Sequence, residues 1–291
     1  MYIKTKKLGG YMISEKTKKW IMLAEYKKIS NKKKIELLSK YKSINDVCNR
    51  LNIKEDFRIN RCMEYIEKNN IEVIYYKSEY YPKQLTFLYD PPIVIYAVGN
   101  IKILNDKDKI AVIGARKASS YGIYISQEIG RKLSINNIHT ISGLALGIDM
   151  NAHIGVLKQN IKNKQTGKAI AVIGNGLDNM YPYQNKILAK KIVENGGCII
   201  TEYIVGTKPT KSNFPARNRI ISALANKLVV VEAENEQSGT MITVNFSLEL
   251  GKDILVVPGN ITSKMSKGTN ELIKDGAKII TKFEDIIEED Y

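Results

Sequence analysis

The sequence predicts an α/β protein in which a parallel sheet with helices on both faces follows a small, all-helical N-terminal domain. From about residue 76 onward, short apolar segments alternate with segments of helical character, which is typical of βαβ units. Before residue 75 the chain instead has helical periodicity and repeated helix-capping residues. We therefore expect a helical domain over residues 1–75 and the sheet domain over residues 76–291.

The N-terminal part is predicted to be a series of short helices. Apolar residues cluster at 20–24, Ser30 or Asn31 is suited to cap a following helix, and the helical pattern continues over 57–68. Residues 71–75 are the first segment with the composition of a strand, and this change sets the predicted domain boundary.

The sheet domain continues with a second strand at 93–98 and then alternates regularly until an acidic segment at 284–290. Prolines at 82, 91 and 92 lie between the first two strands, and Gly99-Asn100 ends the second. The later predicted strands cover 110–113, 139–142, 169–173, 198–201, 227–231, 254–257 and 277–281, and the helices cover 121–136, 149–158, 185–194, 217–225, 239–250 and 270–275.

Composition narrows the class of partner. The net charge is +15, from 45 Lys+Arg against 30 Asp+Glu, which favours a polyanion and places nucleic acid ahead of membrane lipid. A coding bias toward Lys, Asn and Ile is the alternative source of this charge. The three cysteines have no metal-ligand spacing, and their sparse, odd number fits a reducing cytoplasm. We find no signal peptide and no apolar run that would span a bilayer, so we expect a cytoplasmic protein without a membrane partner.

Ligands of such sheets bind beyond the carboxyl ends of the strands, so the loops after the strands are the candidate sites. The first loop begins at Gly114, where the backbone turns, and Ser119 or Ser120 is suited to cap the next helix. Free N–H groups at a helix start attract anions, and the planar guanidinium of Arg116 suits a phosphate. The alternative is an ordinary strand–helix loop with a surface arginine.

The second and third loops are rich in glycine. Ser142 and Gly143 begin the second loop, and Asp149 and His153 follow it at a spacing that permits either an acid–base pair or a structural contact at a helix start. The third loop, over 174–176, either presents a row of backbone N–H groups or is a plain turn.

The fourth loop leads into a predicted helix through Phe214 and Pro215. Because Pro215 suits a first helical turn, Arg217 and Arg219 are expected in that turn, where positive charge opposes the helix dipole unless an anion is bound. This favours phosphate binding over a solvated basic turn. Phe214 is either a stacking surface for a base or a buried staple at the helix start.

Other chemistry lacks its sequence signature. No GxGxxG follows a strand, no GxxxxGK[ST] is present, and neither histidine has a nucleophile in a recognisable motif. No carboxylate cluster indicates a metal. We therefore expect neither a cofactor nor catalysis.

Several motifs together nevertheless identify a resemblance. In chain order they are Tyr81-Pro82, Asp90-Pro91-Pro92, Gly99-Asn100, Gly114-x-Arg116-x-x-Ser119, residues 142–149 with Ala152-His153, Gly174-x-Gly176-Leu-Asp178 with Tyr181-Pro182, residues 214–221, Ser238-Gly-Thr, Val257-Pro258-Gly259, and Gly268 to Asn270 leading to Gly276-Ala277. From about Glu79 to Ala277, the sequence resembles the DprA/Smf family of DNA-processing proteins.

The resemblance implies an extended Rossmann-like domain, preceded by a helical domain of the SAM or helix–hairpin–helix kind. It also implies a homodimer that binds and protects single-stranded DNA without sequence preference during natural transformation and loads a RecA-type recombinase. The turn over 28–32 lacks the glycine of the hairpin in relatives. With the loops above, the candidate nucleic-acid-binding residues are Gly114, Arg116, Lys117, Ser119, Ser142, Gly143, Gly174, Asn175, Gly176, Lys211, Asn213, Phe214, Arg217, Asn218 and Arg219.

Two other functions fit the same loops. A Rossmann-like nucleotide hydrolase or transferase would need a general base, for which Asp149, Glu202 and Glu232 are the candidates. An interaction scaffold would use the loops for protein partners, and its charge would be incidental.

Overall fold

The computed structural model describes residues 14–235 and 238–288. The helical prediction for residues 1–13 and the end of the acidic segment, 289–290, lie outside these residues. Within them the α/β prediction is confirmed, because helices precede and then flank one mostly parallel sheet. No helix among the described residues has the length and apolar character that crossing a membrane requires.

The elements follow the predicted order. The N-terminal helices are α1 (Glu15–Glu25), α2 (Asn31–Lys40), α3 (Ile44–Arg50) and α4 (Phe57–Asn69). The strands are β1 (Glu72–Tyr75), β2 (Val94–Gly99), β3 (Lys109–Ile113), β4 (His139–Ser142), β5 (Ala169–Val172), β6 (Cys198–Thr201), β7 (Lys227–Val230), β8 (Asp253–Val256) and β9 (Lys278–Ile279). The later helices are α5 (Ser120–Ile135), α6 (Ile148–Lys162), α7 (Lys186–Glu194), α8 (Asn213–Leu224), α9 (Gly239–Glu249), α10 (Lys267–Lys274) and α11 (Glu284–Ile287).

The strands of the described residues form a nine-stranded sheet in the order β1-β2-β6-β5-β4-β3-β7-β8-β9. The strands from β6 to β9 in this order are parallel, whereas β2 runs antiparallel to both β1 and β6. From β3 the chain first builds the sheet toward β6 and then returns to add β7, β8 and β9 on the other side. The order therefore reverses between β3 and β7, where open α/β sheets form a ligand crevice.

Alternate side chains of the buried strands separate the two helical layers. On β3, Ala111 and Ile113 pack into the cluster that holds α8, whereas Ile110 and Val112 pack into the cluster that holds α5. The helices α5, α6 and α11 thus cover one face, and α8 and α9 cover the other. Burial on both faces explains why these strands are continuously apolar rather than alternating.

The N-terminal helices cover the β1–β2 edge of the sheet. Val94 and Tyr96 of β2 lie in the same apolar cluster as α1, α3 and α4, and Trp20 stacks on Tyr75 with ring centroids 4.8 Å apart. The predicted boundary near residue 75 falls at the end of β1, and β1 is itself hydrogen-bonded into the sheet. The helical segment therefore shares its core with the sheet.

Candidate nucleic-acid interface

The predicted loops lie along one rim of the sheet, which we call the carboxyl rim. It consists of the loops after β3, β4, β5, β6 and β7, together with the segment that enters β2, because β2 runs antiparallel to β6. A cleft of about 620 Å³ opens at the reversal between β3 and β7. Its walls are the loop after β3, the first turns of α8 and the start of α9.

The loop after β3 presents its cations to solvent, but its helix start is already occupied. Arg116 and Lys117 are exposed and border the cleft. The Ser119 N–H donates to Glu232 Oε2 at 3.0 Å, and the Ser119 hydroxyl donates to the other carboxylate oxygen. The same hydroxyl accepts from the Gly122 N–H at 3.0 Å and so caps α5. A carboxylate of the protein itself therefore occupies the anion position at the start of α5.

In this arrangement the Ser119 groups that were predicted to hold a phosphate are already bonded to Glu232. Glu232 is only 3% exposed, and a Cβ at Gly122 would lie 2.3 Å from its Oε2 atom. Gly114 serves a related purpose, because a Cβ there would lie 2.8 Å from the Glu232 carbonyl oxygen. Both glycines permit close packing around Glu232.

Phe214 joins the cleft to the third loop. The guanidinium of Arg116 lies 5.4 Å from its ring centroid, and the ring of Tyr181 lies 5.7 Å away at an interplanar angle of 39°. A Cβ at Gly174 would lie 3.0 Å from Cδ1 of Phe214, so Gly174 allows this ring to pack close to the loop backbone. Phe214 is half-buried and borders the cleft, so part of its side chain remains accessible there.

Helix α8 begins earlier than predicted, and this changes the positions that its two arginines occupy in the helix. It starts at Asn213, so Pro215 is its third residue, and Arg217 and Arg219 lie in the second turn. The prediction that these two charges lie in the first turn and oppose the helix dipole there is therefore wrong. Pro215 is tolerated at its position because the first N–H groups of a helix have no partner within the helix.

Arg217 is a buried structural cation. It is 4% exposed, and its Nη1 atom donates to the Gly143 carbonyl oxygen at 2.9 Å and to the Val172 carbonyl oxygen. Its Nε atom donates to Asn218 Oδ1 at 3.1 Å. Burial lowers the pKa of Arg217 to about 10, although the nearby carboxylate of Asp149 opposes this shift. The side chain remains charged at neutral pH and ties α8 to the ends of β4 and β5.

Arg219 also has a partner within the protein. Its guanidinium forms a two-pronged ion pair with Glu202, and the two side chains are 12% and 15% exposed. Burial lowers the pKa of Arg219, but pairing with Glu202 outweighs burial and leaves the pKa above its ordinary value. Neither predicted phosphate ligand in α8 therefore presents an unpartnered charge.

The polar groups of the second and third loops form hydrogen bonds within the protein. The Ser142 hydroxyl donates to the Val112 carbonyl oxygen at 2.7 Å, and the Gly143 N–H donates to Asp149 Oδ2 at 3.0 Å. Buried Asn175 uses its amide nitrogen to bond the Gly176 and Asn179 carbonyl oxygens at 3.1 and 3.0 Å. These polar groups shape the rim and are turned into the protein.

The carboxylates considered as general bases are also engaged. Glu232 bonds Ser119, Glu202 pairs with Arg219, and Asp149 accepts from Gly143. Burial raises the pKa of Asp149, against the opposing influence of Arg217 and of backbone N–H groups. His153 is fully buried, and burial lowers its pKa to about 4. Across residues 14–235 and 238–288, no cluster of His, Cys, Asp and Glu could hold a metal ion.

Six of the predicted residues border the cleft: Gly114, Arg116, Lys117, Phe214, Arg217 and Asn218. Lys211 is exposed just before α8, and the Asn213 carbonyl oxygen accepts from the Tyr203 hydroxyl at 3.2 Å. Sequence reasoning missed the ring contact of Tyr181 and the start of α9 at 238–240, which forms a cleft wall. The signal for the latter was available, because 238–240 follows the strand beside the reversal point.

The fold and this rim define a Rossmann-like α/β protein whose strand-end cleft combines exposed cations with a pair of aromatic rings. The chain belongs to the family described as DNA recombination-mediator protein A, whose sequence model matches residues 72–290. The resemblance to the DprA/Smf family is thereby confirmed, and the protein is a member of a family of DNA-processing proteins that act in recombination.

Individual relatives agree with this assignment. The DNA processing protein DprA of Streptococcus pneumoniae is 39% identical over 209 residues, which are 72% of this chain and 71% of that protein. The DprA of Bacillus subtilis is 34% identical over 232 residues, or 80% of this chain and 75% of that protein.

Solved structures give the same result. The X-ray structure of the Streptococcus pneumoniae protein superposes with a TM-score of 0.73 and 31% identity, covering 94% of each chain. The DNA processing protein A of Helicobacter pylori superposes with a TM-score of 0.66 and 30% identity, covering 75% of this chain and 94% of that one. The description of the Helicobacter pylori structure concerns that protein's single-stranded DNA binding mode.

Proposed function

We propose that this protein binds single-stranded DNA without sequence preference along the carboxyl rim, and that it does so without catalysis. The observation that carries the proposal is the cluster of Arg116, Phe214 and Tyr181 beside an open cleft. Bases of any kind stack on aromatic rings, so such a surface binds an unpaired strand regardless of its sequence. The single-stranded DNA binding described for the Helicobacter pylori relative supports the same function here.

The phosphates of the strand are expected to contact the exposed cations. Arg116 and Lys117 border the cleft, and Lys211 is exposed shortly before Phe214. A cation beside an aromatic ring contacts a phosphate while the adjacent base stacks. In this proposal Arg217 and Arg219 are positioning residues that hold α8 in place, because protein groups already occupy their guanidiniums.

A non-catalytic role accounts for how the acidic groups are arranged. The rival reading, a nucleotide hydrolase or transferase, needs a free anion site at the start of α5 and a free general base. Glu232 occupies the former, and Asp149 and Glu202 are held by Gly143 and Arg219. These contacts favour a binding protein over an enzyme.

The biological role we infer is that of a recombination mediator in the cytoplasm. The protein would protect incoming single strands during DNA uptake and transfer them to a RecA-type recombinase, acting as a homodimer. The family description as a recombination mediator supports the transfer step.

A titration of labelled oligonucleotides over a salt series tests the DNA-binding proposal. We expect tighter binding to single-stranded than to double-stranded DNA. The logarithm of the binding constant should fall linearly with the logarithm of salt concentration, by about 0.7 per neutralised phosphate. Arg116→Ala and Lys211→Ala should each weaken binding and flatten this slope by about 0.7, without a change in melting temperature.

Arg131→Ala is the matched control, because Arg131 pairs with Glu128 on α5, on the face of the sheet opposite α8. It should leave the affinity and the salt slope unchanged. Two results would contradict the proposal: no binding of a single-stranded oligonucleotide at physiological salt, or unchanged slopes in both Arg116→Ala and Lys211→Ala.

A further inference from the structure

Two large aromatic side chains remain exposed at the far end of the carboxyl rim. Phe87 is 77% exposed and Tyr89 is 82% exposed. Leu88 between them is buried in the apolar cluster of the sheet, whereas the side chains of both neighbours lie in solvent. Adjacent exposed aromatic rings contribute nothing to the core, and such patches commonly mark binding surfaces.

The sheet topology places this pair on the same rim as the cleft. Because β2 runs antiparallel to β6, the segment that enters β2 lies beside the carboxyl end of β6. The connection is direct, since Nε of Arg219 donates to the carbonyl oxygen of Asp90, the residue after Tyr89, at 3.3 Å. The neighbouring Leu85 packs in the cluster that also contains Ile220 of α8. Phe87 and Tyr89 therefore lie beside the helix whose first turn carries Phe214.

The segment is fixed rather than freely moving. Asp90 accepts from the Asn31 N–H at 3.0 Å and from the Asn31 side chain at 3.4 Å, so its carboxylate is satisfied by α2. The Tyr81 hydroxyl donates to the Pro92 carbonyl oxygen at 2.8 Å. The Nζ atom of Lys32 lies 4.7 Å from the centroid of the Tyr89 ring. An exposed ring with an adjacent cation, on anchored backbone, has the features of a base-stacking site.

We propose that Phe87 and Tyr89 form a second stacking platform for the same DNA strand, with Lys32 contacting its backbone. This inference rests on the proposed function and extends it from the cleft to the edge of the sheet. Strands β3 and β2 are separated by four inter-strand steps in the sheet, which corresponds to roughly 19 Å at the usual strand spacing. A long oligonucleotide would reach both platforms, whereas a short one would occupy the cleft alone. The part of the rim between the two platforms includes Arg219 and Glu202, whose charges neutralise each other.

The test compares thymidine oligonucleotides of about 5 and about 16 nucleotides, within the range of known single-strand site sizes. The variant is Phe87→Ser with Tyr89→Ser, and Tyr124→Ser is the control, because Tyr124 is 64% exposed on α5 at the opposite face. We expect the double variant to bind the long oligonucleotide at least about fivefold more weakly than the wild type. It should bind the short oligonucleotide as the wild type does, and the control should match the wild type with both.

A long abasic oligonucleotide separates stacking from charge, because it has the phosphates without the bases. Wild type and double variant should bind it equally. The inference is overturned if the double variant binds the long thymidine oligonucleotide as tightly as the wild type, or if it loses as much affinity for the abasic strand. If the wild type binds neither oligonucleotide, the proposed function itself fails; if it binds both and the double variant is unchanged, only the second platform fails.

Discussion

Replacing Arg217 should affect the stability of the protein much more than its direct contact with DNA. In Arg217→Met, the Gly143 and Val172 carbonyl oxygens lose a donor, and Asp149, which is 7% exposed, loses its nearby cation. Removing one member of a buried charge pair costs about 3–5 kcal/mol, because the remaining charge stays buried without compensation. Since whole domains are stable by about 5–15 kcal/mol, this is a large fraction of the total.

Thermal and urea unfolding provide the assay. We expect Arg217→Met to lower the melting temperature by roughly 6 °C or more. Adding Asp149→Asn should recover part of this loss, because the double variant has no uncompensated carboxylate. The control is Arg116→Met, whose side chain is exposed, and it should change the free energy of unfolding by less than about 0.5 kcal/mol.

The binding assay supplies the second half of the test. At a temperature where it is folded, Arg217→Met should keep the salt slope of the wild type, whereas Arg116→Met should flatten it. Wild-type stability in Arg217→Met, or a slope as flat as that of Arg116→Met, would refute the assignment of Arg217 as a structural cation.

Two further predictions concern the buried groups beneath the rim. Gly122→Ala should destabilise the protein by about 1–3 kcal/mol in urea unfolding, because the new Cβ would lie 2.3 Å from Glu232 Oε2 and this clash outweighs the higher helix propensity of alanine. In a Glu232→Ala background the same substitution should cost less stability. An equal cost in both backgrounds would contradict the assigned contact. His153 has its pKa lowered from 6.5 to about 4 by burial, so the unfolded chain takes up a proton before the native protein does. Stability should therefore decrease as pH falls from about 6.5 toward 4, by about 3 kcal/mol from this group, and His153→Leu should show a correspondingly weaker pH dependence of unfolding.

The sequence was informative wherever structure depends on neighbouring residues. The alternation of apolar strands and helices predicted the positions of the strands closely, since a strand that is buried on both faces is a continuous apolar run in the sequence. Ser119 indicated the start of α5 because its hydroxyl caps the helix within the same turn. Helix α8 was misplaced because a proline fits several positions of a first turn, and the sequence alone did not distinguish them.

The partners of the charged residues were not accessible from the sequence. Ser119 meets Glu232 because β3 and β7 are adjacent, although these strands are distant along the chain. Arg219 likewise meets Glu202 across the loop after β6. Sequence motifs therefore indicated loops that the fold brings to one rim, but they did not reveal which cations of these loops already have partners within the protein.

The distribution of these pairs sets an upper bound on the charge that the cleft offers to DNA. Three carboxylates at the rim face positive centres of the protein: Glu232 bonds at the start of α5, Glu202 pairs with Arg219, and Asp149 lies near enough to Arg217 to oppose the lowering of its pKa. The predicted residues that remain as exposed cations are Arg116, Lys117 and Lys211. If each neutralises one phosphate, the salt slope for a short oligonucleotide is about −2, since each contact contributes about −0.7. A much steeper slope would require cations outside the cleft, and Lys32 beside Tyr89 is then the first to examine.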